Sequence, residues 1–259
     1  MSTPSDPTGL LIDIDGTLLS DERAIPGADA ALARIRAAHL PFRLLTNTSR
    51  RSRDTIAEVL RGAGLHVEPD EILTPAALAR RRIMDSGRMG AHLLLPEEAR
   101  IDLAGVREEN ERPDWVVVGD LGDGFTHARL NTAFRLIRQG ASFLALHRNR
   151  FWHDGDRGWV LDAGPYVAAL EYATGIDAEL MGKPSPDLFR LALDDLGLMP
   201  AGVLMVGDDR EADIAGGRAA GLMTALVRTG RAAESVPSSG ADPDIIFESI
   251  ADLLADRIA

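Results

Sequence analysis

The sequence predicts an α/β fold: a doubly wound, Rossmann-like parallel sheet interrupted by a smaller inserted α/β domain. Three observations predict it. From residue 1 to 75, short apolar runs alternate with amphipathic stretches in the order strand–helix–strand–helix–strand, which implies parallel strands joined by right-handed crossovers. From 76 to 179 the pattern changes and acquires a hairpin. From 180 to 259 the first pattern returns. The core is thus expected in two parts, 1–75 and 180–259, around an insertion at 76–179.

Each element has a local reason. Leu10-Leu11-Ile12 runs into Asp13, Asp15 and Gly16, a short buried strand closed by a turn. Leu19 to Ala24 is polar and reads as a loop. Ala28 to Ala38 is rich in Ala, Leu and Arg and reads as a helix. Phe42 to Leu45 is a second strand, ending in Thr46 and Asn47. A helix from about Ser52 carries Ile56, Val59 and Leu60 at helical spacing and stops at Gly62-Ala63-Gly64. Ile72-Leu73 is a third strand. Thr74-Pro75 then supplies an N-cap and a first-turn proline for a helix at Ala76 to Met84.

In the insertion, Leu93 to Leu95, Trp115 to Val118 and Phe143 to Leu146 are strands, and the charged run Glu97 to Asp114 separates the first two. Thr126 to Arg138 is a helix with Leu130, Ala133, Phe134 and Ile137 on one face. Asp154 to Gly158 turns a hairpin between Phe151-Trp152-His153 and Trp159-Val160-Leu161. Pro165 to Ala173 is helical and stops before Gly175, and Ala178 to Met181 is a short extended piece that opens the last third. In the last part, Ser185-Pro186 starts a helix through Leu196. Val203 to Val206 is a strand ending in Gly207-Asp208-Asp209, Asp213 to Ala220 a short helix, and Met223 to Val227 a strand. Gly230 to Asp242 is loop, Ile245 to Phe247 an edge strand, and Ser249 to Ile258 a closing helix.

Composition narrows the function. With 259 residues, 45% of them hydrophobic, the chain can build a sizeable core. It has no cysteine, which excludes disulfides, thiolate metal sites and cysteine nucleophiles. A net charge of −12 argues against nucleic acid as a partner. No apolar run approaches a membrane span, and the polar first residues carry no signal pattern, so a cytoplasmic protein with no membrane partner is expected. The six histidines are scattered and read as surface or satisfied core residues, and Trp115, Trp152 and Trp159 as packing within the insertion.

Three expected strands end in polar groups: Asp13, Thr46 and Asp208. If the first strand is central, the strand order reverses beside it, and ligands bind outside the carboxyl ends at such a switch point. Asp13 and Asp15, two apart, would share a face of an ideal strand. A buried strand rarely ends in two carboxylates for structural reasons, because an unpaired buried charge is costly. Such a pair suits a divalent cation, or nucleophilic and acid–base work on one substrate. Plainer readings also exist. Asp13 to Gly16 can be a structural turn, Thr46-Asn47 a helix N-cap, Lys183 a solvated loop residue, Asp208-Asp209 a cap, and Asp213 a first-turn carboxylate favoured by the helix dipole.

Taken in order, Asp13-x-Asp15-x-Thr17, Thr46, Gly182-Lys183-Pro184, and Gly207-Asp208-Asp209 with Asp213 resemble the four motifs of the haloacid dehalogenase-like superfamily. They span nearly the whole chain, and as a set they are specific where no single one is. The α/β insertion between the second and third motifs resembles the cap of subclass IIA, the subgroup of 4-nitrophenylphosphatase-like, phosphoglycolate phosphatase-like and phospholysine phosphohistidine inorganic pyrophosphate phosphatase-like proteins. The resemblance implies Asp13 as nucleophile, forming an aspartyl phosphate, and Asp15 as the acid and then the base. It implies Mg²⁺ held by Asp13, the Asp15 backbone carbonyl and Asp208, with Asp209 and Asp213 behind them. Thr46, Asn47 and Lys183 would bind the phosphoryl group.

The expected activity is Mg²⁺-dependent hydrolysis of small phosphorylated metabolites. Substrate choice is expected on the cap, at Gly119 to Thr126 and Arg148 to Asp154, where Asp120 and Asp123 would repel extra phosphates and Arg148 and Arg150 attract acidic groups. The resemblance also implies a homodimer paired through the cap. Rival readings are a phosphomutase or phosphotransferase using the same intermediate, and a non-catalytic phospho-ligand binder. A receiver-like signalling module fits poorly, because its phosphorylatable Asp would lie on a later strand in about half this length.

Overall fold

The structure is a computed structural model and describes residues 7–154, 157–230 and 241–255. The chain divides into two compact units: 1–46, 53–73 and 183–259 form the first, and 47–52 with 74–182 the second. The chain therefore passes between units at Thr46/Asn47, Ser52/Arg53, Leu73/Thr74 and Gly182/Lys183, with a six-residue linker of the second unit interposed in the first.

The first unit is built on a six-stranded sheet. Its order is Ile245–Phe247, Met223–Val227, Val203–Gly207, Gly9–Asp13, Phe42–Leu45, Ile72–Leu73, and every pair is parallel. The earliest strand sits in the middle, with later strands on either side, so the order reverses there. Gly9–Asp13 is buried throughout. Leu10 and Ile12 join a core with Ala28, Leu32 and Ile35 of the helix Ala28–Ala37 and Ile56 and Leu60 of Arg53–Gly62. Leu11 joins a second core with Phe189, Ala192 and Leu193 of the helix Pro186–Leu196. Alternation along the strand thus divides its side chains between two helical layers, as in a doubly wound sheet.

The second unit has its own parallel sheet, ordered Glu179–Leu180, Ser142–Ala145, Trp115–Val118, Gly90–Leu94, Arg107–Glu108. Val116, Val118, Phe143 and Ala145 pack with Ala133, Leu136 and Ile137 of His127–Arg138 and Val167 and Leu170 of Ala163–Thr174. Thr74 and Thr126 cap their helices, accepting from Ala77 N–H and Arg129 N–H. Phe151–Asp154 and Gly158–Leu161 form an antiparallel hairpin.

Several expectations need correction. The first strand ends at Asp13, so strand alternation does not extend to Asp15, which is exposed. Leu19 to Ala24 is a small hairpin rather than a loop. The charged run contains a 3-10 helix, Glu98–Leu103, and a short strand, Arg107–Glu108, too brief to leave a periodic signal. The helix expected from Asp213 begins earlier, as a π-helical turn at Arg210–Ala215 before Gly216–Ala219. Within the described part of the expected closing helix, Ile250–Asp252 form a 3-10 turn and Leu254 has φ 58°. Trp115 is buried, but Trp159 is 63% exposed and stands edge-to-face against Phe151 on the hairpin. Residues 155–156 of the hairpin turn, 231–240 of the expected loop and 256–258 of the closing helix lie outside the described residues.

Candidate active site

The carboxyl ends of Gly9–Asp13 and Val203–Gly207 lie side by side, because the two strands pair in parallel with Ile12 opposite Val206. Asp13 therefore closes one strand and Asp208 follows the other. Both are buried, at 4% and 3% exposure. One carboxylate oxygen from each of Asp13, Asp208 and Asp213 lies within 4.8 Å of the others.

Lys183 enters this cluster at 4% exposure. Its Nζ donates to Asp13 Oδ1 and, at 2.7 Å, to Asp213 Oδ1. The π-helical turn is what delivers Asp213. Asp209 caps it, accepting from Glu211 N–H at 2.8 Å and Ala212 N–H at 2.9 Å, while its own N–H donates to Asp213 Oδ2 at 3.1 Å. Both Asp213 oxygens are thereby engaged. Asp13 differs, since its Oδ2 is buried with no hydrogen-bond partner among the described residues.

Burial pushes the Asp13 carboxyl well above its usual range. Lys183 opposes that shift, and Asp213 and Asp208 add to it. Burial likewise raises Asp213 against the pull of Lys183. Burial alone would lower the Lys183 ammonium, but Asp13 and Asp213 outweigh it and hold the lysine charged. Three buried carboxylates face one ammonium. An uncompensated buried negative charge is costly, and a hard divalent cation with oxygen ligands relieves it. The unpartnered Asp13 Oδ2 and the adjacent Asp208 therefore fit such an ion.

Glycine makes the close approach possible. Gly16 has φ 91°, and a Cβ built there would collide with Asp208 Oδ2. Its carbonyl accepts from Thr229 Oγ1 at 2.6 Å, tying the turn after Asp13 to the segment that follows Met223–Val227. Thr46, at the end of Phe42–Leu45, is buried and donates from Oγ1 to Asp15 Oδ2 at 3.3 Å.

The structure thus links Asp13, Lys183, Asp213 and Asp209 by hydrogen bonds, sets Asp208 beside them, and joins Asp15 to Thr46. Asn47 belongs to the second unit, where its Nδ2 donates to Asn149 Oδ1 at 3.4 Å. Three of the expected selector residues on that unit, Arg148, Asp120 and Asp123, already have partners within it. Arg148 pairs with Glu171, and Asp120 is buried and accepts from Gly122 N–H at 2.9 Å. Sequence reasoning passed over Ser49 and His147, which form a buried contact at 2.8 Å. A serine before a helix and one histidine among six leave no pattern to find.

Comparison with known proteins gives a consistent result. A family model described as haloacid dehalogenase-like hydrolase matches residues 10–104, and one described as HAD-hydrolase-like matches 180–253. The chain is 36% identical over 231 residues to haloacid dehalogenase-like hydrolase domain-containing protein 2 of Bos taurus, covering 89% of this chain and 88% of that one. It is 34% identical over 256 residues to the phospholysine phosphohistidine inorganic pyrophosphate phosphatase of Bos taurus, covering 96% and 92%. Among solved structures, the p-nitrophenyl phosphatase from Archaeoglobus fulgidus superposes with a TM-score of 0.88 at 29% identity, covering 96% of this chain and 98% of that one. The chain belongs to the haloacid dehalogenase-like hydrolases of subclass IIA and is an enzyme of their phosphatase kind.

Proposed function

We propose that this chain is a Mg²⁺-dependent phosphatase of small phosphorylated metabolites that works through an aspartyl phosphate on Asp13. The observation that carries the reading is the buried, unpartnered Asp13 Oδ2 at a strand end, next to an oriented lysine and a second buried aspartate. Two relatives, a phospholysine phosphohistidine inorganic pyrophosphate phosphatase and a p-nitrophenyl phosphatase, support the class.

The Asp13 carboxylate attacks phosphorus as the ester P–O bond breaks, and Asp15 gives the leaving oxygen its proton. Water then attacks phosphorus and passes a proton to Asp15. The P–O bond to Asp13 breaks, releasing phosphate and restoring both carboxyl groups. Exposure suits Asp15 to this exchange, and the Thr46 hydroxyl holds its carboxylate. Lys183, fixed by Asp213, offsets charge on Asp13 and on the phosphoryl oxygens. Thr46 and Asn47 bind those oxygens as well. Asp13, the Asp15 carbonyl and Asp208 would hold Mg²⁺, with Asp209 and Asp213 behind them. The ion would neutralise phosphoryl charge so that an anionic nucleophile can approach.

A homodimer paired through the second unit is part of this reading, supported by the exposed apolar side chains of Phe151, Trp159 and Leu161 on its hairpin. A cytoplasmic setting is part of it too. Among the described residues no helix is long and apolar enough to cross a membrane.

The test is phosphate release from a panel of phosphorylated metabolites and 4-nitrophenyl phosphate, after chelation and again with Mg²⁺ restored. Release that returns only with the ion is expected. Full activity in the chelated protein, or no release from any ester, would overturn the reading.

A further inference from the structure

The second unit holds a buried polar cluster that the proposed chemistry does not use. Ser49, His147, Asp120 and Asp162 are each no more than 8% exposed. His147 Nε2 lies 2.8 Å from Ser49 Oγ, and Ser49 Oγ accepts from Asp120 N–H at 2.8 Å. Asp162 Oδ1 is 3.7 Å from His147 Nε2, too far for a hydrogen bond. Nδ1 has no partner among the described residues. Burial lowers the histidine pKa, against the pull of Asp162 and Asp120, so the Asp162 contact joins a neutral imidazole to a carboxylate and is no ion pair.

Three segments meet at Ser49. It lies in the linker 47–52, between the two places where the chain changes unit. Asp120 opens the loop after the strand Trp115–Val118, and His147 follows the strand Ser142–Ala145. Gly119 allows the approach, since a Cβ there would sit 2.8 Å from Ser49 Oγ. Arg50, the next linker residue, reaches the same loop, 3.5 Å from Asp120 Oδ2, and lies over the Trp152 ring. An orphaned buried nitrogen costs stability.

We propose that His147 is a positioning residue: through Ser49 it fixes the linker that begins with Asn47, and with it the geometry in which Asn47 receives phosphate. The inference rests on the proposed function, which makes Asn47 a phosphate-binding residue. His147 touches no reacting atom. It sets where the linker backbone runs, and Ser49 carries that constraint both to Asn47, two residues away, and to the loop beginning at Asp120.

The experiment compares wild type with His147→Leu, His147→Gln and Ser49→Ala. Each is assayed for 4-nitrophenyl phosphate hydrolysis, inhibition by inorganic phosphate, and thermal unfolding. A glutamine amide offers a donor or an acceptor where Nε2 stands, and leucine offers neither. The expected result is a roughly tenfold rise in both KM and the phosphate inhibition constant for His147→Leu and Ser49→Ala, about 1.4 kcal/mol of binding, with kcat within about threefold. His147→Gln should recover most of the binding. Unchanged KM and inhibition constant in His147→Leu would overturn the proposal. So would failure of glutamine to recover binding while it recovers thermal stability, since that marks a packing role only. If wild type hydrolyses the ester and the variants bind normally, this inference alone fails. If wild type hydrolyses nothing, the proposed function fails and takes the inference with it.

Discussion

The Lys183 ammonium donates to Asp213 Oδ1 at 2.7 Å, and neither side chain reaches solvent to any useful extent. That bond orients the lysine toward Asp13, to which the same Nζ also donates. Removing one partner of a buried ion pair strands the other, typically at about 3–5 kcal/mol. Lys183→Met should therefore lower the unfolding free energy by about that amount in urea with chelator present. It should also cost at least ~10²-fold in phosphate release. A loss of stability below about 1 kcal/mol would mean the lysine is not paired as described.

Gly16 is the second structural lever. A left-handed φ costs a residue with a Cβ about 1–3 kcal/mol, and here the added carbon also meets Asp208. Gly16→Ala should lower stability by that order and raise the Mg²⁺ concentration needed for half-maximal activity, because Asp208 must shift. Titration of activity against Mg²⁺, with urea unfolding alongside, checks both. A Mg²⁺ requirement equal to wild type would separate Asp208 from the ion.

In the proposed mechanism Asp15 divides substrates by leaving group. Asp15→Asn loses proton transfer, typically worth ~10²–10⁴-fold. The loss in the first step should be large for alkyl phosphates, whose leaving oxygen needs a proton, and smaller for 4-nitrophenyl phosphate. Water attack on the phosphoenzyme also needs the base, so a burst of nitrophenol should precede slow turnover. Rapid-quench kinetics on both substrates is the measurement. Equal losses in the first step would remove Asp15 from the proton path.

The order of elements and the switch point beside Gly9–Asp13 were legible in the sequence, because buried parallel strands write themselves as short apolar runs ending in turn residues. Asp13 and Asp208 were legible because charged residues at the ends of such runs are conspicuous, whereas Lys183 stood out only through the resemblance of Gly182-Lys183-Pro184 to a family motif. What escaped was set by tertiary context. The π-helical turn that aims Asp213 has no period of its own at six residues. Arg107–Glu108 is a strand only because Gly90 and Ala91 pair with it. Trp159 reads as core by composition, yet lies exposed on the hairpin. Ser49 and His147 stand 98 residues apart and meet only through the fold.

His147 gives the protein a pH signature. Burial holds its folded-state pKa below the usual 6.5, although Asp162 and Asp120 pull the other way. In the window below pH 6.5 the unfolded chain binds a proton that the native state refuses. Stability therefore rises with pH there and is lost as pH falls. Asp120, raised mainly by burial, works in the opposite sense at lower pH. Unfolding of wild type and His147→Gln from pH 7.5 to 5 isolates the histidine, and wild type should lose more stability than the variant on the acid side. Parallel curves would show that His147 accepts its proton freely in the folded state.

The central claim is that Asp13 carries the phosphoryl group between substrate and water. Its most direct test is acid quenching during turnover of a ³²P-labelled phosphomonoester, followed by peptide mapping of the label. The account predicts label on the peptide containing Asp13, and neither label nor turnover in Asp13→Asn. Label on another residue, or undiminished turnover in Asp13→Asn, would contradict it.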